Sequence, residues 1–369
     1  MRVYLLVLLV AAGVTYLLGG LCRRLAFRFN AVANVRARDV HTKPVPYFGG
    51  IAMLVGMGAA FLVGSQLPWL NQFDQVWYYV RGVALGGAVI CVVGVIDDLF
   101  ELNALAKTAG QMLAAGIAVI TGVKILWIPF PGMIVPLDQG FQIVVTMILI
   151  FISVNAINLI DGLDGLAAGI VAIGAAAFFT YAFLLAYLEG LIRATTSSLV
   201  SVVTIGICLG FLPYNVHKAK MFMGDSGSML LGFLMAASVI SLTGQIDPSR
   251  LGTPGASVLA AYLPLVLPLG VMALPLLDMA MAYVRRSVHG QKWWKPDKQH
   301  LHHRMLRLGH GHLQAVFLLW LWAALVAFGV VLIGLLPGPA TIGGVAAGVV
   351  VASILTWGRW PGKPRKKAA

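Results

Sequence analysis

Two adjacent aspartates close an apolar segment, and their types and position suggest chemistry. Asp97 and Asp98 end the run GVIDD, and Lys107 follows nine positions after Asp98. Because the C-terminus of a helix carries partial negative charge, two carboxylates there need a cation or a proton nearby. Lys107 can supply that charge if the next helix runs back to the same place. A solvated loop with one ion pair is the alternative, and the spacing favours a functional pair.

Four amide and carboxylate side chains end a second apolar run, in the sequence NAINLIDGLDGLAAG. They recur every three positions, as Asn155, Asn158, Asp161 and Asp164. In a continuing helix this spacing places the side chains near one face, and the glycines between them let the backbone approach a ligand or open a turn. An N-cap formed by Asp164 explains one of these residues but not the group, so the pattern favours a functional site.

Another aspartate opens an apolar helix in the sequence MFMGDSGSMLLG. Asp225 stands in the first turn, where a carboxylate can cap the exposed backbone amides. The same amides favour anions such as phosphate, and a capping carboxylate can also bind a ligand. Both roles are open to Asp225 from its position alone.

Histidines and an arginine gather in a long basic loop with the sequence DKQHLHHRMLRLGHGH. They are His300, His302, His303 and Arg304. No cysteine accompanies them, and the oxygen donors of the other segments suit Mg²⁺ or Mn²⁺ better than zinc. A cluster of histidine and arginine side chains can also hold phosphate groups.

A fifth segment, DVHTKPVPYFGG, contains Asp39, His41 and Lys43 ahead of a proline-containing turn. These residues could bind substrate, or the loop could carry basic charge that fixes membrane topology. The sequence supports the two roles equally. Together, the five segments combine hard metal ligands with phosphate-binding cations. This combination predicts Mg²⁺-dependent chemistry on a phosphate or diphosphate.

The elements that carry these residues are apolar and long enough to span a bilayer. Of 369 residues, 60% are hydrophobic and 11% are charged, whereas soluble domains carry about 25% charged residues. We therefore expect an all-α, polytopic integral membrane protein, with one membrane domain over residues 1–357 and a basic cytoplasmic tail over residues 358–369. A span needs about 20 apolar residues. Eleven segments qualify: 3–21, 48–66, 80–96, 107–123, 141–160, 166–188, 195–213, 226–243, 257–284, 314–336 and 338–357.

The distribution of charge indicates how these segments are oriented. The net charge of +13 could indicate nucleic-acid binding, but basic residues retained on the cytoplasmic side explain it better. An N-terminus outside places most lysines and arginines in cytoplasmic loops. The five segments then share the cytoplasmic face, whereas the proline-rich loop over residues 124–140 lies outside and is compatible with a short hairpin.

The segments, in this order, resemble the polyprenyl-phosphate N-acetylhexosamine-1-phosphate transferase family, glycosyltransferase family 4. The resemblance extends over residues 34–313 and rests on the paired aspartates, the NxxDGxDG segment, the FMGDxGS segment and the HxHHR loop. It implies that a UDP-activated amino sugar donates its sugar 1-phosphate to a polyprenyl phosphate in the bilayer, with release of UMP. It also implies dependence on Mg²⁺.

The resemblance and the spacing together lead us to expect roles for individual residues. The expected metal ligands are Asp225, as the principal one, and Asn158. The expected catalytic residues are Asp97, Asp98, Lys107, Asp161, His302 and His303. The expected substrate-binding residues are Asp39, His41, Lys43, Asn155, Asp164, Asn215, His300 and Arg304.

The histidine loop also suggests which sugar is used. The branch that makes the peptidoglycan precursor carries three successive histidines there, whereas Leu301 separates His300 from His302 in this chain. This pattern resembles the branch that uses UDP-N-acetylglucosamine and starts O-antigen, teichoic acid or arabinogalactan-type polymers, and the eleven expected spans agree with it. The alternatives are a phospho-N-acetylmuramoyl-pentapeptide transferase and, less favoured, an ion-coupled transporter.

The same resemblance sets the expected surroundings of the protein. We expect a bacterial cytoplasmic membrane, with the active site facing the cytoplasm. The expected partners are UDP-N-acetylglucosamine, undecaprenyl or decaprenyl phosphate and the membrane lipids, with no nucleic acid. A homodimer is expected from the resemblance alone.

Overall fold

The computed structural model describes residues 1–29, 31–33, 45–130, 133–188, 192–243, 267, 269–290 and 300–358. The described residues form helices joined by loops and by two short strand pairs, which confirms the expected all-α fold class. The helices are α1 (Arg2–Arg28), α2 (Gly49–Gln66), α3 (Pro68–Asn71), α4 (Asp74–Phe100), α5 (Ala104–Ile120), α6 (Gln139–Ile160), α7 (Leu166–Leu188), α8 (Ile192–Asn215), α9 (Gly224–Thr243), α10 (Ala273–Val288), α11 (Leu301–Arg307), α12 (His312–Leu335) and α13 (Pro339–Trp357).

Two antiparallel strand pairs connect helices. β1 (Val32–Ala33) pairs with β2 (Val45–Pro46), and β3 (Trp127–Phe130) pairs with β4 (Met133–Pro136). The second pair forms a short hairpin, with which the proline-rich loop over residues 124–140 was predicted to be compatible. Prolines lack a backbone donor and suit such short edge strands.

Nine of the described helices are long and apolar enough to cross a bilayer. They are α1, α2, α4, α6, α7, α8, α9, α12 and α13. Two further expected spans coincide with shorter helices, because α5 has 17 residues and α10 has 16. The first part of the ninth expected span and most of the expected tail lie outside the described residues. The number of eleven spans therefore remains a prediction.

α9 is the central helix of the bundle. Within its most apolar stretch 94% of the residues are buried, against 11% in α13. It packs against α2, α4, α6 and α8, and small residues allow the close approach. A Cβ added to Gly94 of α4 would lie 2.3 Å from Ser226 Cα, and one added to Gly232 would lie 2.6 Å from Val154 Cα. This packing fixes the position of the residues at the N-terminus of α9.

Alternating helix directions bring the chemical segments to one end of the bundle. α4, α6 and α8 end there, whereas α5, α7 and α9 begin there, as the hydrogen bonds between these ends show. The motif residues that the structure describes therefore meet at one end of the bundle, whereas the side of the membrane that this end faces remains a prediction. Asp39, His41 and Lys43 lie outside the described residues.

Candidate active site

Asp225 stands in the first turn of α9, at the centre of the converging helix ends. Its Oδ1 accepts a hydrogen bond from Asn158 Nδ2 at 2.7 Å, and the same nitrogen donates to Ser228 Oγ at 2.9 Å. Asn158 belongs to the last turn of α6. Its amide oxygen has no hydrogen-bond partner in the part of the chain that the structure describes. The two residues expected to bind a metal ion are therefore adjacent.

Lys107 connects two of the aspartates. Its Nζ lies 2.8 Å from Asp97 Oδ2 and also forms an ion pair with Asp225 Oδ2. Lys107 is in the first turn of α5, which Asn103 caps by accepting a hydrogen bond from the Ala106 amide at 2.8 Å. The expected return of Lys107 to the paired aspartates is confirmed.

Asp98 has a different environment from its neighbour in sequence. Its carboxylate accepts hydrogen bonds from the Asp225 amide at 2.7 Å, the Ser226 hydroxyl at 2.9 Å and the Ser226 amide at 3.2 Å. A residue of α4 therefore caps the N-terminus of α9. Gly224 allows this contact, because its φ is 67° and an added Cβ would lie 2.3 Å from Asp98 Oδ2. Asp98 positions Asp225, and the Asp225 carboxylate is not needed as the cap.

Asp161 follows directly after α6, and its carboxylate has no hydrogen-bond partner among the described residues. Burial raises the pKa of Asp161 to about 8, and the negative charges of Asp225, Asp98 and Asp164 contribute to the rise. Asp97, Asp98, Asp161 and Asp225 thus bring four carboxyl groups to this end of the bundle, and the Lys107 ammonium group pairs with two of them, Asp97 and Asp225. Carboxyl groups crowded in this way raise each other's pKa, and a divalent cation can take the place of the protons that they would otherwise hold.

The histidine loop contacts the segment that carries Asp161. His302 is buried, and its ring lies so close to Gly162 that an added Cβ would be 2.3 Å from His302 Cε1. Burial lowers the pKa of His302 to about 3, and the neighbouring His303 and His300 add to the effect. His302 is therefore a neutral imidazole in this arrangement, and it offers hydrogen bonds rather than positive charge.

His300, His303 and Arg304 surround His302. The His300 ring is parallel to the His302 ring, with centroids 5.7 Å apart, and the His303 centroid lies 4.3 Å from that of His302. His300 Nδ1 is also 2.9 Å from Asp278 Oδ2, in the protein interior. Arg304 is exposed on α11. The loop therefore contributes two buried rings and a solvent-facing cation.

Two buried polar residues join the loops around the aspartate cluster. Asn215 accepts a hydrogen bond from the Gly165 amide at 2.9 Å and donates one to the Met221 carbonyl at 3.1 Å. Asp164 accepts a hydrogen bond from the Ala219 amide at 3.0 Å. These bonds hold the DGLDG segment against the segment between α8 and α9. Both residues therefore support the shape of the site.

Asn155 lies one turn before Asn158 on α6 and is engaged within the bundle. It donates hydrogen bonds to Gln111 Oε1 at 3.0 Å and to the Phe151 carbonyl at 2.8 Å. Gln111 in turn contacts Met229 Sδ at 3.3 Å. Asn155 thus connects α6 to α5 and, through Gln111, to α9.

A group of two histidines and an aspartate beside the cluster was not found by the sequence analysis. His217 Nδ1 lies 3.4 Å and His312 Nε2 4.0 Å from Asp164 Oδ2, and the two rings are stacked with centroids 4.5 Å apart. Their ligand atoms lie within 4.8 Å of one another, close enough to hold a metal ion. Imidazole donors suit zinc-like ions, whereas the oxygen donors around Asp225 suit Mg²⁺. The wide separation of these residues in sequence gave no signal.

Comparisons with known proteins find a family model and several named relatives. The model of glycosyl transferase family 4 matches residues 80–243. A decaprenyl-phosphate N-acetylglucosaminephosphotransferase of Mycobacterium leprae is 45% identical over 333 residues, which cover 89% of this chain and 83% of the relative. The protein of the same name from Mycolicibacterium smegmatis is 43% identical over 362 residues, 96% of this chain and 88% of the relative.

A more distant relative has a different lipid in its name. A probable undecaprenyl-phosphate N-acetylglucosaminyl 1-phosphate transferase of Bacillus subtilis is 32% identical over 300 residues, 81% of this chain and 76% of the relative. The similarity therefore extends across nearly the whole chain and includes the residues that meet at the start of α9. The chain belongs to glycosyl transferase family 4, the family of polyprenyl-phosphate N-acetylhexosamine-1-phosphate transferases.

Proposed function

We propose that the protein transfers N-acetylglucosamine 1-phosphate from UDP-N-acetylglucosamine to a polyprenyl phosphate in the membrane. An oxygen of the lipid phosphate attacks the sugar-bearing phosphorus of the donor and forms a new phosphorus–oxygen bond. The bond from that phosphorus to the bridging oxygen breaks, and UMP leaves with that oxygen. The remaining product is polyprenyl-diphosphate-N-acetylglucosamine, which begins a lipid-linked cell-envelope polysaccharide.

The observation that carries the proposal is the group of Asp97, Lys107 and Asp225 at the N-terminus of α9. Phosphoryl transfer needs mainly the positioning of its reactants and the neutralisation of phosphate charge. Lys107 can pair with phosphate oxygens, and the carboxylates around it can hold a divalent cation. Relatives named as decaprenyl- and undecaprenyl-phosphate N-acetylglucosamine transferases support the same substrate classes.

We infer that Mg²⁺ binds at Asp225, with Asn158 and Asp161 beside it. These residues fit the ion because carboxylate and amide oxygens are the hard ligands that it prefers. The excess of carboxylates over ammonium groups supports the same inference. When bound, Mg²⁺ would neutralise charge on the donor diphosphate and on the leaving UMP. Mn²⁺ prefers similar oxygen ligands and is expected to replace it.

The residues of the chain have separate tasks in a direct displacement. Lys107 holds phosphate charge, Asp97 orients Lys107, and Asp98 holds the start of α9. A phosphate monoester has its second pKa at about 6, so the lipid nucleophile is already largely dianionic at neutral pH and needs no strong base. The rival mechanism forms an aspartyl-phosphosugar intermediate. Capture of labelled sugar phosphate on the protein without lipid acceptor would favour that rival.

We also propose that the site faces the cytoplasm of a bacterial cell from the cytoplasmic membrane. The basic loops support an N-terminus outside, and UDP-sugars are then available on the side where the site lies. Exposed apolar side chains such as Leu17, Leu105 and Ile120 support direct contact with lipid. A homodimer is compatible with the resemblance to the family.

The central experiment measures UMP release by the purified protein given UDP-N-acetylglucosamine, decaprenyl phosphate and Mg²⁺. We expect release that requires the lipid acceptor, stops on chelation of Mg²⁺ and is lost in Asp225→Asn. The matched control is Asp138→Asn, because Asp138 caps α6 at the opposite end from Asn158 by accepting a hydrogen bond from the Phe141 amide at 3.0 Å. This variant should retain activity.

A parallel reaction addresses the donor. UDP-N-acetylmuramoyl-pentapeptide replaces UDP-N-acetylglucosamine at the same concentration, and we expect little UMP. Preference for the muramoyl donor would instead assign the protein to the phospho-N-acetylmuramoyl-pentapeptide transferases. Absence of UMP release with either donor would contradict the proposed transferase activity and favour the alternative of an ion-coupled transporter.

A further inference from the structure

We propose that Asp278 is a positioning residue that fixes the hydrogen-bonding state of His300 for the transfer reaction. The inference rests on the proposed function, because Asp278 would act through a histidine of the candidate active site. Asp278 belongs to α10 and lies outside the motifs that identified the site. It is fully buried, with 0% of its surface exposed.

Both carboxylate oxygens of Asp278 are engaged by the histidine loop. Oδ2 lies 2.9 Å from His300 Nδ1, and Oδ1 accepts a hydrogen bond from the Leu301 amide at 2.8 Å. The first contact orients a side chain, and the second holds the first residue of α11. One carboxylate therefore sets both the ring and the backbone at the start of the HxHHR loop.

The burial of Asp278 makes these contacts strong constraints. A buried carboxylate is costly unless hydrogen bonds or charge compensate it. An imidazole N–H and a backbone N–H supply that compensation here. Rotation of the His300 ring would leave the carboxylate short of a donor, so the ring is held in one orientation.

The contact also decides which nitrogen of His300 is available to a ligand. Because an ionised carboxylate only accepts hydrogen bonds, Nδ1 must donate to Asp278. In the neutral ring, Nε2 then carries the lone pair. Nε2 can therefore accept a hydrogen bond from a hydroxyl group of the substrate.

Stacked rings connect this pair to the aspartate cluster. The His300 and His302 rings are parallel to within 6°, and His302 lies against Gly162, next to Asp161. A displaced His300 would disturb this stack. Asp278 can therefore influence the reaction without touching a substrate.

The first test replaces Asp278 by asparagine, which keeps the size of the side chain and one oxygen for the Leu301 amide. Its amide nitrogen would face His300 Nδ1, so the ring must adopt the opposite tautomer to accept there. We expect kcat for UMP release to fall about 10- to 100-fold, the usual effect of losing a residue that orients a functional histidine. KM for UDP-N-acetylglucosamine should change much less.

A control variant separates the two contacts of Asp278. Leu301→Pro removes the backbone donor but leaves the contact with His300. Proline suits the first position of a helix, and His300 before it already has an extended backbone with φ −61° and ψ 159°. We expect a smaller loss of kcat than in Asp278→Asn. The variant also removes the Leu301 side chain, which packs against the core, so a smaller loss would support the contact with His300 all the more strongly. An equal or larger loss would overturn the proposal.

A double-mutant cycle tests whether Asp278 acts through His300. In a His300→Gln background, Asp278→Asn should cause almost no further loss of kcat, because the residue it positions is already gone. Nitrogen NMR of histidine-labelled protein should show one ring that changes tautomer in Asp278→Asn and is missing in His300→Gln. Fully additive losses, or an unchanged tautomer, would overturn the proposal. If Asp278→Asn does not fold, Asp278→Glu, which keeps the charge but moves the carboxylate, takes its place in the cycle.

Failure of this proposal is distinguishable from failure of the proposed function. Wild-type protein and Asp138→Asn are assayed beside each variant. An inactive wild-type protein would contradict the function itself. An active wild-type protein together with a folded and fully active Asp278→Asn variant would contradict the role of Asp278 alone.

Discussion

The backbone amide of Asp225 donates a hydrogen bond to Asp98 Oδ1 across 2.7 Å. This contact joins α4 to the first turn of the most enclosed helix of the described chain. Asp97, the neighbour of Asp98 in sequence, instead pairs with Lys107. Of two adjacent aspartates, one thus supports the start of the helix and the other holds the lysine beside it.

Asparagine substitutions separate these two tasks. Asp98→Asn replaces one carboxylate oxygen by an amide nitrogen, so the three donors of Asp225 and Ser226 must share a single acceptor oxygen. We therefore expect a loss of about 1–3 kcal/mol of folding stability together with the loss of activity. Asp97→Asn keeps the oxygen that accepts from the Leu102 amide at 2.8 Å and should lose activity with less destabilisation. Thermal unfolding and UMP release of both variants provide the measurement. Equal destabilisation would contradict this division.

The raised pKa of Asp161 predicts that Mg²⁺ stabilises the protein more at alkaline than at acidic pH. Its pKa rises from the ordinary value of 3.8 to about 8 in the folded protein. Stability from the protonated carboxyl is then present in full at low pH and is lost as the pH rises from about 4 through about 8. Mg²⁺ competes with this proton, so its effect on the unfolding temperature should be larger at about pH 9 than at about pH 6. In Asp161→Asn the effect of Mg²⁺ on the unfolding temperature should depend less on pH. A Mg²⁺ effect in the wild-type protein that grows towards acidic pH would contradict this prediction.

Lys107 should be needed for turnover. Lys107→Gln removes the ammonium group that pairs with Asp97 and Asp225, and we expect kcat to fall by on the order of 10²–10³, as for loss of one donor to developing charge. Lys107→Arg keeps the charge and should retain more activity. The control is Lys124→Gln, which changes a lysine beside the hairpin and should behave as wild type. Initial rates of UMP release at saturating donor test this, and near-normal turnover of Lys107→Gln would refute the assignment.

Gly94 should tolerate no side chain. Gly94→Ala places a methyl group 2.3 Å from Ser226 Cα, and overpacking of this kind typically costs about 1–3 kcal/mol. Gly58→Ala is the matched control, because an added Cβ at Gly58 meets nothing within 4 Å. The unfolding temperatures of the two variants should differ clearly. Equal unfolding temperatures of Gly94→Ala and Gly58→Ala would contradict the close packing of α4 on α9.

Much of the fold was predictable because a membrane-spanning helix needs a continuous run of about 20 apolar residues, and such runs are visible in the sequence. The span expected over residues 80–96 nevertheless forms a longer helix, Asp74–Phe100, because hydropathy does not detect polar residues that continue a helix beyond the apolar core. The motif residues were identifiable from their types, and the Lys107 contact followed from helix direction. Local sequence patterns therefore located the cluster.

Contacts between distant segments were not predictable in the same way. The Asp98 cap of α9 spans 127 positions of sequence, and a local pattern offered Asp225 as the cap instead. Asp278 was recognisable only as a carboxylate within an apolar run, and its contact with His300 depends on how α10 and α11 pack. His217 and His312 are single histidines in sequence that become neighbours only in the folded chain.

The close packing of Gly94 against the start of α9 has a consequence for drug resistance. An inhibitor that contacts Asp225 and Lys107 would bind residues to which we assign the transfer reaction, on a helix end whose neighbours Gly94 and Gly224 have no room for a larger side chain. Few escape substitutions would then preserve both a folded protein and turnover. Compounds that depend instead on peripheral contacts, such as those of the exposed α13, would lose potency through mutations that cost the cell little.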